Sequence, residues 1–186
     1  QSVMNMNDPK QYVKLGSKTV YGGLEDLSAK VYTAWDYENF YFAAEVTDDS
    51  WNEMEGTDLL WASDGIQFGI APTKSTVQLT QVDIGKLHDQ FQVLVEIAAN
   101  QANQGLVEDA ELEIKRNGNV TTYELRMPWK KIFFDGFTVR KNTKIAFSMM
   151  INDNDGRGRK GYMENGSGLG SGIKNVGEFL DLFMVF

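Results

Sequence analysis

Lys30-Val-Tyr-Thr-Ala-Trp35, then Asp36-Tyr-Glu-Asn39, then Phe40-Tyr-Phe-Ala-Ala-Glu-Val-Thr47: two runs of β-branched and aromatic residues joined by a turn that is polar apart from one ring. A period near two over such runs, with a short polar joint, is the signature of paired strands. The same period recurs outward along the chain. Gly65 to Ile70 places Ile66, Phe68 and Ile70 on one side, and Phe91 to Ala98 is another run. Leu112 and Ile114 alternate with Glu111, Glu113 and Lys115. Asn117-Gly118 marks a two-residue hairpin, returned by Tyr123, Leu125 and Met127. Ile145 to Ile151 and Phe179 to Phe186 complete the strands. Helix is confined to one turn at Pro128 to Ile132, with proline at its first position. The stretch from Gly156 to Gly177 reads as a long glycine-rich loop. The pattern predicts an all-β protein, an antiparallel β-sandwich of jelly-roll or immunoglobulin-like type. It forms one domain over residues 1–186, with residues 1–10 as a tail or linker.

Composition agrees and excludes several functions. Apolar residues are 42% and charged residues 24%, enough for a large core. The net charge is -8, so phosphate backbones and anionic membranes repel the chain, and neither nucleic acid nor membrane is an expected partner. With no cysteine there is no disulfide, thiolate nucleophile or thiolate metal site. The lone histidine, His88, has no partner motif and reads as a surface or turn residue. No nucleophile elbow, phosphate loop or dinucleotide fingerprint occurs, so no enzyme is expected. Gln1 is not an initiator, which suggests a processed form or a piece of a longer protein.

Three constellations carry possible chemistry. Glu45, Asp48, Asp49, Glu53, Glu55, Asp58 and Asp64 fall in one stretch without a basic residue. Such a run is either a solvated loop or an oxygen-rich cradle for a hard cation such as calcium. Asn152-Asp153-Asn154-Asp155-Gly156 closes a strand, as an Asx turn or as a second anchor for a cation or ligand. Of the tryptophans, Trp35 and Trp129 fit a core, whereas Trp51 and Trp61 flank the acidic stretch, where an exposed ring would be a platform for a sugar.

Several of these segments together resemble family 9 carbohydrate-binding modules. They are Glu25 to Asp36, Asn39 to Asp49, Trp61-Ala-Ser-Asp-Gly-Ile-Gln-Phe68, Tyr123 to Ile132, and Phe147 to Gly156 followed by Arg159 and Gly161, in the family's order. The resemblance implies a DOMON-like β-sandwich with structural calcium. It also implies a non-catalytic role, attached to catalytic or surface-anchoring domains of a secreted or cell-surface bacterial protein such as a glycoside hydrolase. In the family, two tryptophans sandwich a sugar while a Glu and an Arg bond its hydroxyls. Trp61 stands at the first tryptophan, Gln67 at the Glu and Gln92 at the Arg. The second tryptophan should fall near Asn165 or Ile173, and Tyr162 is the nearest ring.

The expected ligand site is therefore Trp61, Gln67, Gln92, Arg159, Tyr162 and Asn165, and the expected calcium ligands are Asp48, Asp49, Asp64, Asn152, Asp153 and Asp155. The expected function is extracellular, non-catalytic binding of an oligo- or polysaccharide. Alternatives are a structural or adhesion sandwich that has lost sugar binding and, through the eight methionines and His88, a haem-binding DOMON-type domain.

Overall fold

The computed structural model describes residues 2–17, 19–53, 59–170 and 172–185. Glu55 and Asp58 lie outside the described residues. Two antiparallel sheets face each other. The smaller runs in the order β1 (Ser2–Met6), β3 (Leu27–Trp35), β4 (Asn39–Asp48), β10 (Val120–Pro128), β9 (Glu111–Asn117). The larger runs β2 (Tyr12–Lys14), β12 (Gly161–Asn165), β11 (Lys144–Asp153), β5 (Gly65–Ala71), β6 (Thr80–Leu87), β7 (Gln90–Ile97), β8 (Gly105–Leu106), with β13 (Leu180–Phe183) also pairing with β11. Among the described residues the single α-helical turn is α1 (Trp129–Ile132), after Pro128. No helix among the described residues is long and apolar enough to cross a membrane.

The period-two runs explain the core. In β3 and β4, Val31 lies opposite Ala44 and Thr33 opposite Phe42, all buried, while Lys30 and Glu45 pair on the other face. Phe40 and Phe42 from the smaller sheet meet Phe68 and Phe147 from the larger, with Phe42 and Phe68 stacked at 5.5 Å between centroids. Rings of this size dominate sandwich cores, and removing one costs about 3–5 kcal/mol. Trp129 belongs to this core, and Trp35 and Trp51 pack partly buried against it. Trp51 donates to the Tyr123 hydroxyl at 3.3 Å, so it is not an open platform.

Four expectations are corrected here. Residues 1–10 are not a tail: Ser2 to Met6 pairs with β3, and Met6 is fully buried in the core. The loop expected over Gly156 to Gly177 contains β12, whose mixed Gly-Tyr-Met-Glu-Asn sequence hides its period. The Asn117-Gly118 hairpin turns one residue later: Asn117 pairs with Val120, and Gly118 takes the positive φ of 59°. The strand β6 was not expected, because Asp83 and Gly85 are poor strand formers. It joins β7 through His88 and Asp89, both at positive φ (50° and 60°), the geometry of a tight hairpin.

The larger sheet has a second, outer apolar layer. Ala71, Leu79, Ala146, Met150, Tyr162, Leu169, Val176 and Phe179 cluster there. The chain after β12 folds over this face and covers part of it. Gly69 permits that cover, because a Cβ at this position would lie 2.8 Å from the Phe179 ring. The uncovered part of the same face carries the candidate site.

Candidate functional site

Register decides which side chains meet. Gln67 on β5 lies opposite Asp83 on β6 and opposite Met150 on β11. In a pleated sheet opposed residues share a face, so these three point outward together, away from Ile66 and Phe68. Gln67, Gln81 and Asp83 are nonetheless at most 2% exposed. Buried polar groups must find partners, and here they form a network. Gln67 Nε2 donates to Asp83 Oδ1 at 3.0 Å, and Gln81 Nε2 donates to Asp83 Oδ1 at 3.1 Å and Glu96 Oε2 at 3.0 Å. Burial first, and then the nearby Glu96 carboxyl, push the Asp83 carboxyl up to about 7. Asp83 Oδ2 has no hydrogen-bond partner among the described residues. A carboxyl in such surroundings keeps its proton to a higher pH than an exposed one.

Arg159 lies across this network. Its Nη1 donates to Gln67 Oε1 at 2.9 Å and to Asn152 Oδ1 at 3.0 Å. Its guanidinium carbon is 5.1 Å from the centroid of the Trp61 ring and 5.4 Å from that of Tyr162. A guanidinium over aromatic faces is held by the ring quadrupoles. Trp61 sits in a single turn of 3-10 helix, Leu60–Ala62, not in extended chain leading into β5. The late Asx cluster pins that turn. Asn152 Nδ2 donates to Trp61 O, Asn154 Nδ2 donates to Ala62 O, and the Asn154 N–H donates to Asp64 Oδ1. Tyr162 is buried at 6% exposure, and Gly170 packs so closely that a Cβ there would lie 2.2 Å from its hydroxyl.

The result is a cleft of about 220 Å³ lined by Trp61, Gln67, Gln81, Glu96, Arg159 and Lys174, among others. A shallower cleft of about 620 Å³ adjoins it and shares Tyr162's neighbour Gly170 and Lys174. Gln81 Oε1 and Arg159 Nε are buried with no hydrogen-bond partner.

The structure brings together Trp61, Gln67, Arg159 and Tyr162. It does not bring in Gln92 or Asn165. Gln92 shares the outward face, opposite Gly85, but its amide donates to Leu87 O at 3.5 Å and it does not line the cleft. Asn165 lies opposite the core residue Met149 and so faces the other way from Tyr162. Gln81, Asp83, Glu96 and Lys174 were missed. The alternation of Gln81 and Asp83 with Val82 and Ile84 was the available signal.

A second concentration of charge lies at one end of the sandwich. The carboxylate oxygens of Asp26, Asp49 and Asp155 all lie within 4.8 Å of one another. Lys160 Nζ is 2.7 Å from Asp26, 2.7 Å from Asp155 and 3.4 Å from Asp153. Asp153 accepts from the Tyr12 hydroxyl at 2.5 Å, while its Oδ1 has no hydrogen-bond partner. Burial is the first cause of the raised carboxyls of Asp48, Asp64 and Asp153, the last pushed up to about 6, and neighbouring carboxylates add to it. Of the expected calcium ligands, Asn152 instead serves the cleft, and Asp64 spends its oxygens on the Asn52 and Asn154 N–H groups. Asp26 was not expected.

With this geometry in view, the comparisons with known proteins can be placed. The family model described as carbohydrate family 9 binding domain-like matches residues 7–171. The chain belongs to that family. The resemblance carried by Trp61 to Phe68 and the late Asx cluster is thereby a membership, and the fold agrees. A family 9 carbohydrate-binding module from Caldicellulosiruptor kristjanssonii in complex with cellotriose superposes with a TM-score of 0.70 at 15% identity, over 98% of this chain and 83% of that one. The same organism's module in complex with glucose gives 0.68 at 14%, over 97% and 83%. A putative carbohydrate-binding protein from Bacteroides uniformis gives 0.62 at 9%, over 84% and 78%. No curated protein matches in sequence. This family 9 domain thus has the sandwich of a carbohydrate-binding module, with its polar, aromatic-walled cleft on the outer face of the larger sheet.

Proposed function

We propose that the domain binds an oligosaccharide in the cleft between Trp61 and Lys174, without turnover. The observation that carries this is the pair of unpartnered buried atoms there, Gln81 Oε1 and Arg159 Nε. An acceptor and a donor without a partner among the described residues, beside an aromatic wall, suit a sugar diol, whose hydroxyls both donate and accept. The apolar C–H face of the ring would rest against Trp61. Structural relatives bound to cellotriose and glucose support a sugar of this kind. Family membership supports a non-catalytic, extracellular module attached to a glycoside hydrolase or a related surface protein. Titration calorimetry against cello-oligosaccharides and xylo-oligosaccharides tests the reading. Heat of binding abolished by Trp61→Ala is expected, with no reducing sugar released. Absence of binding across a glycan array would favour an adhesion sandwich.

We infer that calcium binds at the acidic end. The fit rests on charge and on the donor set: Asp26, Asp153 and Asp155 share one lysine, Lys160, and one carboxylate oxygen from each of Asp26, Asp49 and Asp155 lies within 4.8 Å of the others. Asp26, Asp49 and Asp155 would hold the ion through oxygen, the donor set that hard cations take. An ion that binds only the folded state raises its stability by mass action, so chelator should lower the melting temperature. An unchanged melt, with no metal by elemental analysis, overturns it.

A further inference from the structure

We propose that the sugar recognised by this cleft carries a carboxylate, as in an oligosaccharide with one uronic acid residue, and that Arg159 and Lys174 receive it. This rests on the sugar-binding reading and adds the charge of the ligand.

Arg159 uses one corner of its guanidinium for the protein. Nη1 holds Gln67 and Asn152, both uncharged acceptors. Nε is buried and unpartnered, and Nη2 makes no hydrogen bond among the described residues. Those two nitrogens form one edge of the guanidinium, the edge whose parallel N–H groups match the two oxygens of a carboxylate. Lys174, half-buried on the same cleft, donates to Leu169 O at 2.8 Å and has two further protons to give. Neither cation forms a salt bridge among the described residues. Burial lowers the affinity of both for their protons. A buried cation without an anion is costly, and a bound carboxylate removes that cost.

The cleft's own acids do not fill the role. Asp83 Oδ1 is occupied by Gln67 and Gln81, and the Asp83 carboxyl is pushed up to about 7, so its own charge is mostly absent at pH 6 and at most one acid's charge remains in the cleft. Arg159 and Lys174 together outweigh it. The domain's net charge of -8 sits elsewhere, much of it at the acidic end, and salt screens distant charges beyond about 8 Å at physiological ionic strength. The adjoining cleft carries Glu164 and Glu178, which would repel a second carboxylate. The ligand chemistry is therefore one acidic residue on an otherwise neutral chain, not a polyuronate.

The test is calorimetry at pH 6 and physiological salt with cellobiose and cellobiouronic acid, which differ only by a carboxylate in place of the terminal hydroxymethyl. Binding of the acid at least tenfold tighter is expected, with the preference lost in Lys174→Gln at unchanged melting temperature. Equal or weaker binding of the acid overturns the proposal while leaving the sugar-binding reading intact. No binding of either, nor of any oligosaccharide on an array, overturns both. A preference that persists in Lys174→Gln but not in Arg159→Gln removes the role given to Lys174.

Discussion

The cleft and the acidic end bury charge in opposite ways. In the cleft, two cations form no ion pair among the described residues and the Asp83 carboxyl beside them is raised; at the end, acids crowd around one lysine. Arg159 Nε has no hydrogen-bond partner among the described residues, whereas Asp153 Oδ1 has only Lys160, 3.4 Å away and shared with two other carboxylates. The excess at each place has the sign that a ligand would cancel, an anion for the first and a cation for the second. Buried charge in this fold is thus a record of what is expected to arrive.

The largest effect should come from removing the lysine at the acidic end. Lys160→Met leaves Asp26, Asp153 and Asp155 facing one another with no cation among them. Breaking a fully buried pair costs 3–5 kcal/mol; Lys160 is 18% exposed, so about 2–3 kcal/mol is expected in chelator. Urea unfolding checks it, and added calcium should recover more stability in the variant than in the parent. An equal loss with and without calcium would separate Lys160 from any ion site.

The next effect is on the pH dependence of stability. The folded carboxyls of Asp48, Asp64 and Asp153 lie above their ordinary value near 3.8. Between that value and the folded one, the native state holds more protons than the unfolded chain, so stability must fall as pH rises. In chelator the domain should therefore be most stable near pH 4 to 5 and lose stability through pH 6 to 7. Calcium favours the ionised carboxylates and should flatten or reverse this slope. Melting curves in chelator that rise from pH 5 to 8 would contradict the crowding.

Third is Trp61→Ala. The ring is part-exposed and stacks on Arg159, so about 1–2 kcal/mol of stability is expected to go, less than the 3–5 kcal/mol of a fully buried ring. Sugar binding should be lost. A cost in the larger range, with binding retained, would make Trp61 a core residue.

These regions also show what a sequence makes legible. The strands Leu27–Trp35, Asn39–Asp48 and Gly65–Ala71 were readable because each buries one face, and burial writes a period of two. Trp61, Gln67, Arg159 and Tyr162 were readable through the family's motifs. Gln81, Asp83 and Glu96 were not, because a polar network on the outer face of a sheet has the same period as a solvated face. Lys174 was hidden for a related reason: it reaches the cleft from a loop whose path depends on Gly69 and Gly170 admitting Phe179 and Tyr162. Asn152 is an expected ion ligand through its match to the family's late Asx cluster, yet successive strand residues point to opposite faces and Asn152 turns to the cleft.

The smallest effect tests the raised Asp83 carboxyl itself. Asp83 is packed against Gln67 from β5, Gln81 from its own strand and Glu96 from β7, with Arg159 and Lys174 the cations in range. In Asp83→Asn, the amide oxygen still accepts from Gln67 and Gln81 and the side chain carries no charge at any pH. At pH 6 the parent carboxyl is mostly protonated, so binding of the carboxylated sugar should be the same in both proteins within twofold. Above pH 7 Asp83 ionises beside the two cations, and binding of the acid should weaken severalfold by pH 8.5. The variant has no proton to lose and should bind equally at both pH values, and cellobiose should show little slope in either protein. A parent profile as flat as the variant's would mean that Asp83 does not change its charge between pH 6 and 8.5, and that the cleft's positive excess does not depend on its proton.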